Sequence, residues 1–216
     1  MIRFIIITVV VLFSFQSPLC AQDERLIPSY DERSEYIYDH PEVDINVYPF
    51  VNTWKNSKIT IDHGGFAEQA VFTRGNPVNP PEKGATLKYI RAYNHGFLFG
   101  NERTKPTKHD NEQVIFYVMK GIGRVEAGGK KVGIKEGTGV FIPAGLEYCF
   151  GNTSGIPLEV IIIVEGLPSG FEPRKNMVVK SYYDATPGYC CWAYTTYSLF
   201  GKTDGLAEPM GISVVT

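Results

Sequence analysis

Cysteine is scarce in this chain. There are four in 216 residues, at positions 20, 149, 190 and 191. That is too few, and too unevenly spaced, for the disulfide framework that holds a small secreted domain together. Charge of one sign is also lacking: Lys plus Arg is 21, Asp plus Glu is 23, and the formal net charge is -2. A protein that grips nucleic acid through its phosphates needs a basic excess to displace counterions, so no nucleic-acid partner is expected. Long hydrophobic runs are missing as well. The apolar run from Phe4 to Phe15 spans 12 residues, short of the roughly 20 that cross a bilayer as a helix. Val160 to Val164 is only strand-length, so no membrane span is expected. No stretch carries an apolar stripe of helical period over three turns, and there is no internal repeat or low-complexity segment.

What is present points to β structure. The chain is 44% hydrophobic and 20% charged, enough to pack a core. Gly 22 and Pro 14 mark many turns, and Tyr 13 and Phe 13 favour strands. The first 21 residues read as an address. Arg3 is a short positive region, Phe4 to Phe15 the apolar stretch, and Leu19-Cys20-Ala21 a small-residue cleavage site. Residues 1–21 are therefore expected to be a secretory signal peptide cut after Ala21, and the protein to be secreted or periplasmic. Acylation of Cys20 is the less favoured alternative, because Ser17-Pro18-Leu19 approaches it poorly. Of the other cysteines, adjacent Cys190 and Cys191 reach disulfide geometry only with strain. Cys149 bridged to one of them and three packed small hydrophobes both stay open.

Residues 22–56, polar and Tyr-rich, read as an extended N-terminal arm with a short strand near Asn46 to Phe50. From 57 to 170 the spacing predicts a barrel or sandwich of short strands. They are expected at Lys58–Asp62, Ala67–Thr73, Thr86–Tyr93, Gly96–Phe99, Gln113–Lys120, Gly123–Ala127, Lys131–Ile134, Gly139–Ile142, Glu147–Gly151 and Leu158–Glu165. Residues 171–216 form a C-terminal extension, with strand-like Trp192–Phe200 and Ile212–Thr216. It is expected to pair with the barrel or to resemble a connector to a second one. A last strand added to the barrel's own sheet is slightly favoured.

Two motifs lie at 107–121 and 137–152. The first runs Thr107-Lys108-His109, then Gln113 and Val114, then IFYVMKG ending at Gly121. The second runs Gly137, TGVFI, Pro143-Ala144-Gly145, Leu146-Glu147, Tyr148, CFG, Asn152. With this strand phrase, turn glycine and Pro-x-Gly turn, the chain resembles the cupin family. The resemblance implies an all-β fold, a cupin-type double-stranded β-helix or small jelly-roll barrel, here with an extended N-terminal arm. Metal cupins gather two His and a Glu from the first motif and a His from the second. The matching positions here are Thr107, His109, Gln113 and Tyr148. Only His109 is a strong ligand; Thr and Gln offer neutral oxygens, and a phenolate needs a large pKa drop.

No cofactor is therefore expected. Thr107, His109, Gln113 and Tyr148 are expected to line a polar, uncharged site at the barrel mouth, binding a small sugar-like or carboxylated ligand. His109 and Tyr148 are the candidate catalytic pair, in isomerase or lyase chemistry. The alternative is a cupin metalloenzyme, of isomerase, lyase or dioxygenase type. It would hold a divalent metal on His109 with His63 or His95 recruited from outside the motifs. A slipped register would make Glu112 the acid ligand. His63 in Asp62-His63-Gly64-Gly65 reads first as a turn residue. Whether the protein is an enzyme stays open. The family resemblance also implies a homodimer.

Overall fold

Alternation along the central strands divides the molecule into two cores. In the computed structural model, residues 48–190, 194–207 and 211–215 are described. The expected signal peptide, most of the expected arm, Cys191 and Trp192 lie outside them. The strands are β1 (Thr60–Asp62), β2 (Phe66–Thr73), β3 (Ile90–Leu98), β4 (Glu112–Lys120), β5 (Ile122–Ala127), β6 (Lys130–Lys135) and β7 (Thr138–Ile142). They continue with β8 (Tyr148–Asn152), β9 (Leu158–Gly166), β10 (Val178–Ser181), β11 (Pro187–Cys190), β12 (Tyr194–Phe200) and β13 (Ile212–Val215). A seven-stranded sheet runs in the order β1-β2-β3-β9-β4-β7-β10, and two three-stranded sheets run β6-β5-β8 and β11-β12-β13. The neighbouring strands in these sheets are paired antiparallel. The all-β jelly-roll expectation holds.

Side chains on a strand alternate between its faces. On β4, Val114, Phe116 and Val118 enter the core between the large sheet and β6-β5-β8. Ile115 and Tyr117 enter a second core on the other side. On β9, Leu158, Val160, Ile162 and Val164 face the first core, and Ile161 and Ile163 the second. Strands buried on both faces read as near-continuous apolar runs, and LEVIIIV is one.

The inner core is filled by aromatic rings. The Phe116 centroid lies 5.6 Å from Phe66, 4.5 Å from Phe150 and 5.7 Å from Tyr148. The outer core is covered by the C-terminal layer, through Leu199 and Phe200 of β12 and Ile212 and Val214 of β13.

Several strand expectations are corrected. The expected strands Thr86–Tyr93 and Gly96–Phe99 merge into one, β3, which runs only from Ile90 to Leu98, because Gly96 is a packing glycine and not a break. A Cβ there would meet Ile162 Cδ1 at 2.7 Å. Tyr48–Phe50 is a 3-10 turn; Asn46 and Val47 lie outside the described residues. Segment 171–216 also contributes β10, which pairs with β7 at the edge of the large sheet. The last strand, β13, pairs with β12 and not with the barrel's own sheet. Its alternate Ile212 and Val214 are needed to cover the outer faces of β4 and β9, which would otherwise be exposed apolar surface. Among the described residues no helix is long and apolar enough to cross a membrane.

Because Phe116 packs against four other rings, those of Phe66, Phe150, Tyr148 and His63, truncating it leaves a cavity that its neighbours cannot fill. Phe116→Ala is expected to lower the unfolding free energy by about 3–5 kcal/mol, measured by urea denaturation. A loss under about 1 kcal/mol would mean that the barrel interior is not packed as described.

Candidate functional site

An irregular segment, residues 103–109, carries the first-motif side chains along the edge of β8. Thr107 N donates to Tyr148 O and Tyr148 N to Thr107 O, both at 2.9 Å, and Thr104 N donates to Phe150 O at 2.9 Å. The second motif then fixes His109. Pro143-Ala144-Gly145 turns with Gly145 at φ +76, the open conformation that glycine supplies in a type II turn, and Leu146 N donates to Pro143 O at 3.3 Å. Gly145 N donates to His109 O at 2.8 Å. The Pro-x-Gly turn of one motif thus holds the backbone of the other.

His109 and Tyr148 meet. The Tyr148 hydroxyl lies 3.2 Å from His109 Nε2, and the ring centroids are 6.1 Å apart. Tyr148 is almost fully buried, while His109 is half-buried at the rim. Burial, with the charges of Asp62 and Glu68 adding to it, holds the Tyr148 phenol far above its ordinary range. It stays protonated and donates. Burial, then the neighbouring His63, pulls His109 below the usual imidazole value, against the opposing pull of Asp62 and Glu112. His109 is therefore neutral at neutral pH and accepts at Nε2.

Thr107 is adjacent but turned aside, its Oγ1 donating to Lys105 O at 3.1 Å. Gln113 is not in the site, which corrects the expectation for it. It occupies the opposite face of β4, where its Nε2 donates to Glu165 Oε2 at 2.5 Å and to Gly205 O at 2.9 Å. The cause is a slip of one residue, which reverses the face of a strand side chain. The family's first motif sets six residues between its acid and its glycine, and six residues (115–120) before Gly121 put Val114 at the acid position, facing the inner core. The family's acid position is thus filled by an apolar group. Glu112 shares that inner face but lies at the mouth end of β4, paired with Arg91 Nε at 2.5 Å.

The residue whose weight sequence reasoning misjudged is His63. It is a turn residue, as expected, yet it is fully buried. Its φ of +49 is a conformation that side chains adopt at a cost. Gly64 behind it allows this: a Cβ there would lie 2.3 Å from Lys105 O. His63 Nδ1 lies 2.5 Å from Glu68 Oε1, and Asn94 Nδ2 donates to Glu68 Oε2 at 2.8 Å. The His63 ring centroid is 5.1 Å from that of His109. His63 Nε2 is buried with no hydrogen-bond partner among the described residues. The sequence signal was His63-Gly64-Gly65 followed by a carboxylate at Glu68. His95 faces outward, between Trp54 at 4.5 Å and Phe97 at 4.4 Å, with Nε2 2.6 Å from Glu159 Oε1. It cannot serve as an inner ligand.

A metal on the motif positions does not fit. Val114 offers no donor, Tyr148 keeps its proton, and Thr107 donates elsewhere. Among the described residues no group of three or more His, Cys, Asp or Glu side chains is arranged to hold a metal ion. Cys149 is buried with a free thiol, its Sγ 3.1 Å from Arg103 Nη2. The side chains of Cys190 and Cys191 lie outside the described residues.

The lowered His109 pKa sets a sign. Folding favours its neutral form, so the contribution is full above the unfolded value of about 6.5 and is lost as pH falls through the folded value. Urea melts from pH 8 to 5 should show stability declining below about pH 6.5, with a shallower slope in His109→Gln. An unchanged slope would contradict the assigned neutral state.

The comparisons agree with this architecture. The family described as "Cupin domain" matches residues 99–164. The chain is similar to a Pseudomonas aeruginosa protein described as glyoxylate-induced, at 17% identity and TM-score 0.51, over 64% of this chain and 50% of that one. It spans half that protein's length. It is also similar to the bacterial pirin YhhW of Escherichia coli, solved in complex with nickel(II), at 14% identity and TM-score 0.50, over 70% of this chain and 72% of that one. Likenesses this distant speak to fold alone. No curated protein matches the sequence. The motif framework at 107–152, the double-stranded barrel and the match over 99–164 agree, and residues 99–164 of this chain form a cupin domain.

Proposed function

We propose that the barrel mouth binds a small sugar-like or carboxylated ligand through His109 and Tyr148, with Thr107 at the rim. One observation carries this reading: a protonated phenol donates to a neutral imidazole at the half-exposed mouth. Directly behind, the buried His63 presents a nitrogen that no described protein group satisfies. Buried polar groups rarely stay unpaired, and each such exception asks for a partner. Neutral donors and acceptors of this kind suit hydroxyl and carboxylate oxygens.

The same electrostatics assign roles. Tyr148, far above its ordinary pKa, orients its partner and supplies no proton at neutral pH. His109, neutral and half-exposed, is the group able to accept one. Binding is thus the better supported activity, and an isomerase or lyase step would run through His109.

A second reading is favoured by one feature. His63 Nδ1 is held by Glu68, the carboxylate–histidine arrangement that orients the other ring nitrogen toward a metal. In that reading His109 and His63 share a divalent ion, with the remaining positions open. Export to the periplasm or beyond, through cleavage after Ala21, completes the proposal; it rests on the signal-like segment 1–21 alone.

The test is a thermal-shift and calorimetric panel of neutral sugars and sugar acids. Binding is expected, with His109→Ala and Tyr148→Phe each weakening it at least tenfold, about 1.4 kcal/mol. Elemental analysis of protein from metal-supplemented medium separates the alternative. Stoichiometric metal lost in both His109→Ala and His63→Ala would establish the second reading and displace the first.

A further inference from the structure

We propose that the ligand of this mouth carries a carboxylate, and that Arg91 is the residue that receives it. This deepens the reading of the mouth as a small-ligand site and rests on it. Arg91 reaches the mouth through an interruption of β3. Across the β3–β9 ladder, Ile90 pairs with Glu165 and Ala92 with Val164, so β3 advances two residues while β9 advances one. Arg91 is the extra residue of a β-bulge, a device that re-aims a side chain and recurs beside functional sites.

Without the bulge Ile90 and Ala92 would share a face. With it, Ile90 enters the outer core and Ala92 the inner one. Arg91 is thereby directed to Glu112, at the start of β4 on the inner face. Gly166 of β9, opposite Glu112, contributes no side chain between them. The pair lies close enough to His109 for both charges to act on its imidazole, in opposite directions.

The contact uses one end of the guanidinium. Glu112 Oε1 takes Arg91 Nε at 2.5 Å. Arginine binds carboxylates in a bidentate manner through paired N–H groups in one plane. Held at Nε, the guanidinium keeps a pre-oriented Nη fork. Arg91 is 43% exposed and Glu112 24%, so the fork is open to solvent at the rim. A carboxylate on Arg91 would place the hydroxyl of an α-hydroxy or sugar acid toward His109. Glu112 is then a positioning residue, acting through Arg91.

The experiment compares matched ligands that differ only in the acid: D-galacturonate against D-galactose, and D-glycerate against glycerol. Affinity is measured by calorimetry on the full-length mature chain. In the wild type the acids are expected to bind at least tenfold more tightly than their neutral partners. Arg91→Gln should abolish that preference. Arg91→Lys, which keeps the charge and the packing, should lose most of it, because an ammonium lacks the planar fork. Glu112→Gln should reduce it less than Arg91→Gln. An acid preference that survives Arg91→Gln overturns the inference. So does equal affinity for acid and neutral partner in the wild type; if that binding is still lost in His109→Ala, the mouth remains the site. If none of the four binds, both the inference and the reading of the mouth on which it rests fall.

Discussion

The pleat of β4 and β9 is the constraint on which everything else depends. Both strands lie between two apolar cores, so each residue has to choose a side, and the choice alternates strictly along the chain. Val114, Phe116 and Val118 close the barrel interior against Phe66 and Phe150. Ile115, Tyr117, Ile161 and Ile163 build the floor on which the C-terminal sheet sits. Moving one residue along β4 would put a glutamine into the aromatic interior and a valine against Glu165. Neither core would tolerate that.

The mouth follows from this packing. Aromatic rings fill the barrel to the level of Tyr148, leaving only its rim for polar chemistry. Backbone pairing of 103–109 with β8 brings His109 over Tyr148, and the Pro143-Ala144-Gly145 turn pins it there. The left-handed turn at His63 adds a second imidazole from below, steadied by Glu68. Burial keeps the phenol protonated and the imidazole of His109 neutral, so that pair itself carries no charge. The Glu68 carboxylate lies behind it on His63, and Arg91 and Glu112 pair at the edge.

The outer face shows the same economy of polar groups. Gln113 and Glu165, both fully buried, bond to one another and to the backbone of Gly205 and Ala207. They tie the C-terminal layer to the barrel wall without an unpaired carboxylate. The polar side chain that motif spacing assigned to the site therefore serves instead to attach that layer.

The sequence by itself determined the fold class, the position of most barrel strands and the pairing of His109 with Tyr148. Those depend on local signals: apolar alternation, turn glycines such as Gly121 and Gly145, and a Pro-x-Gly turn of fixed geometry. Tertiary structure alone decided which face Gln113 takes, because a single-residue uncertainty in spacing reverses a strand side chain and only the two cores resolve it. It alone made Gly96 a packing site within one long strand, since the need for glycine there comes from Ile162, distant in sequence. It alone brought His63, Glu68 and Arg91 to the mouth, through a left-handed turn and a β-bulge. Both are backbone irregularities stabilised by contacts from elsewhere in the chain, and local sequence carries no direct signal of them.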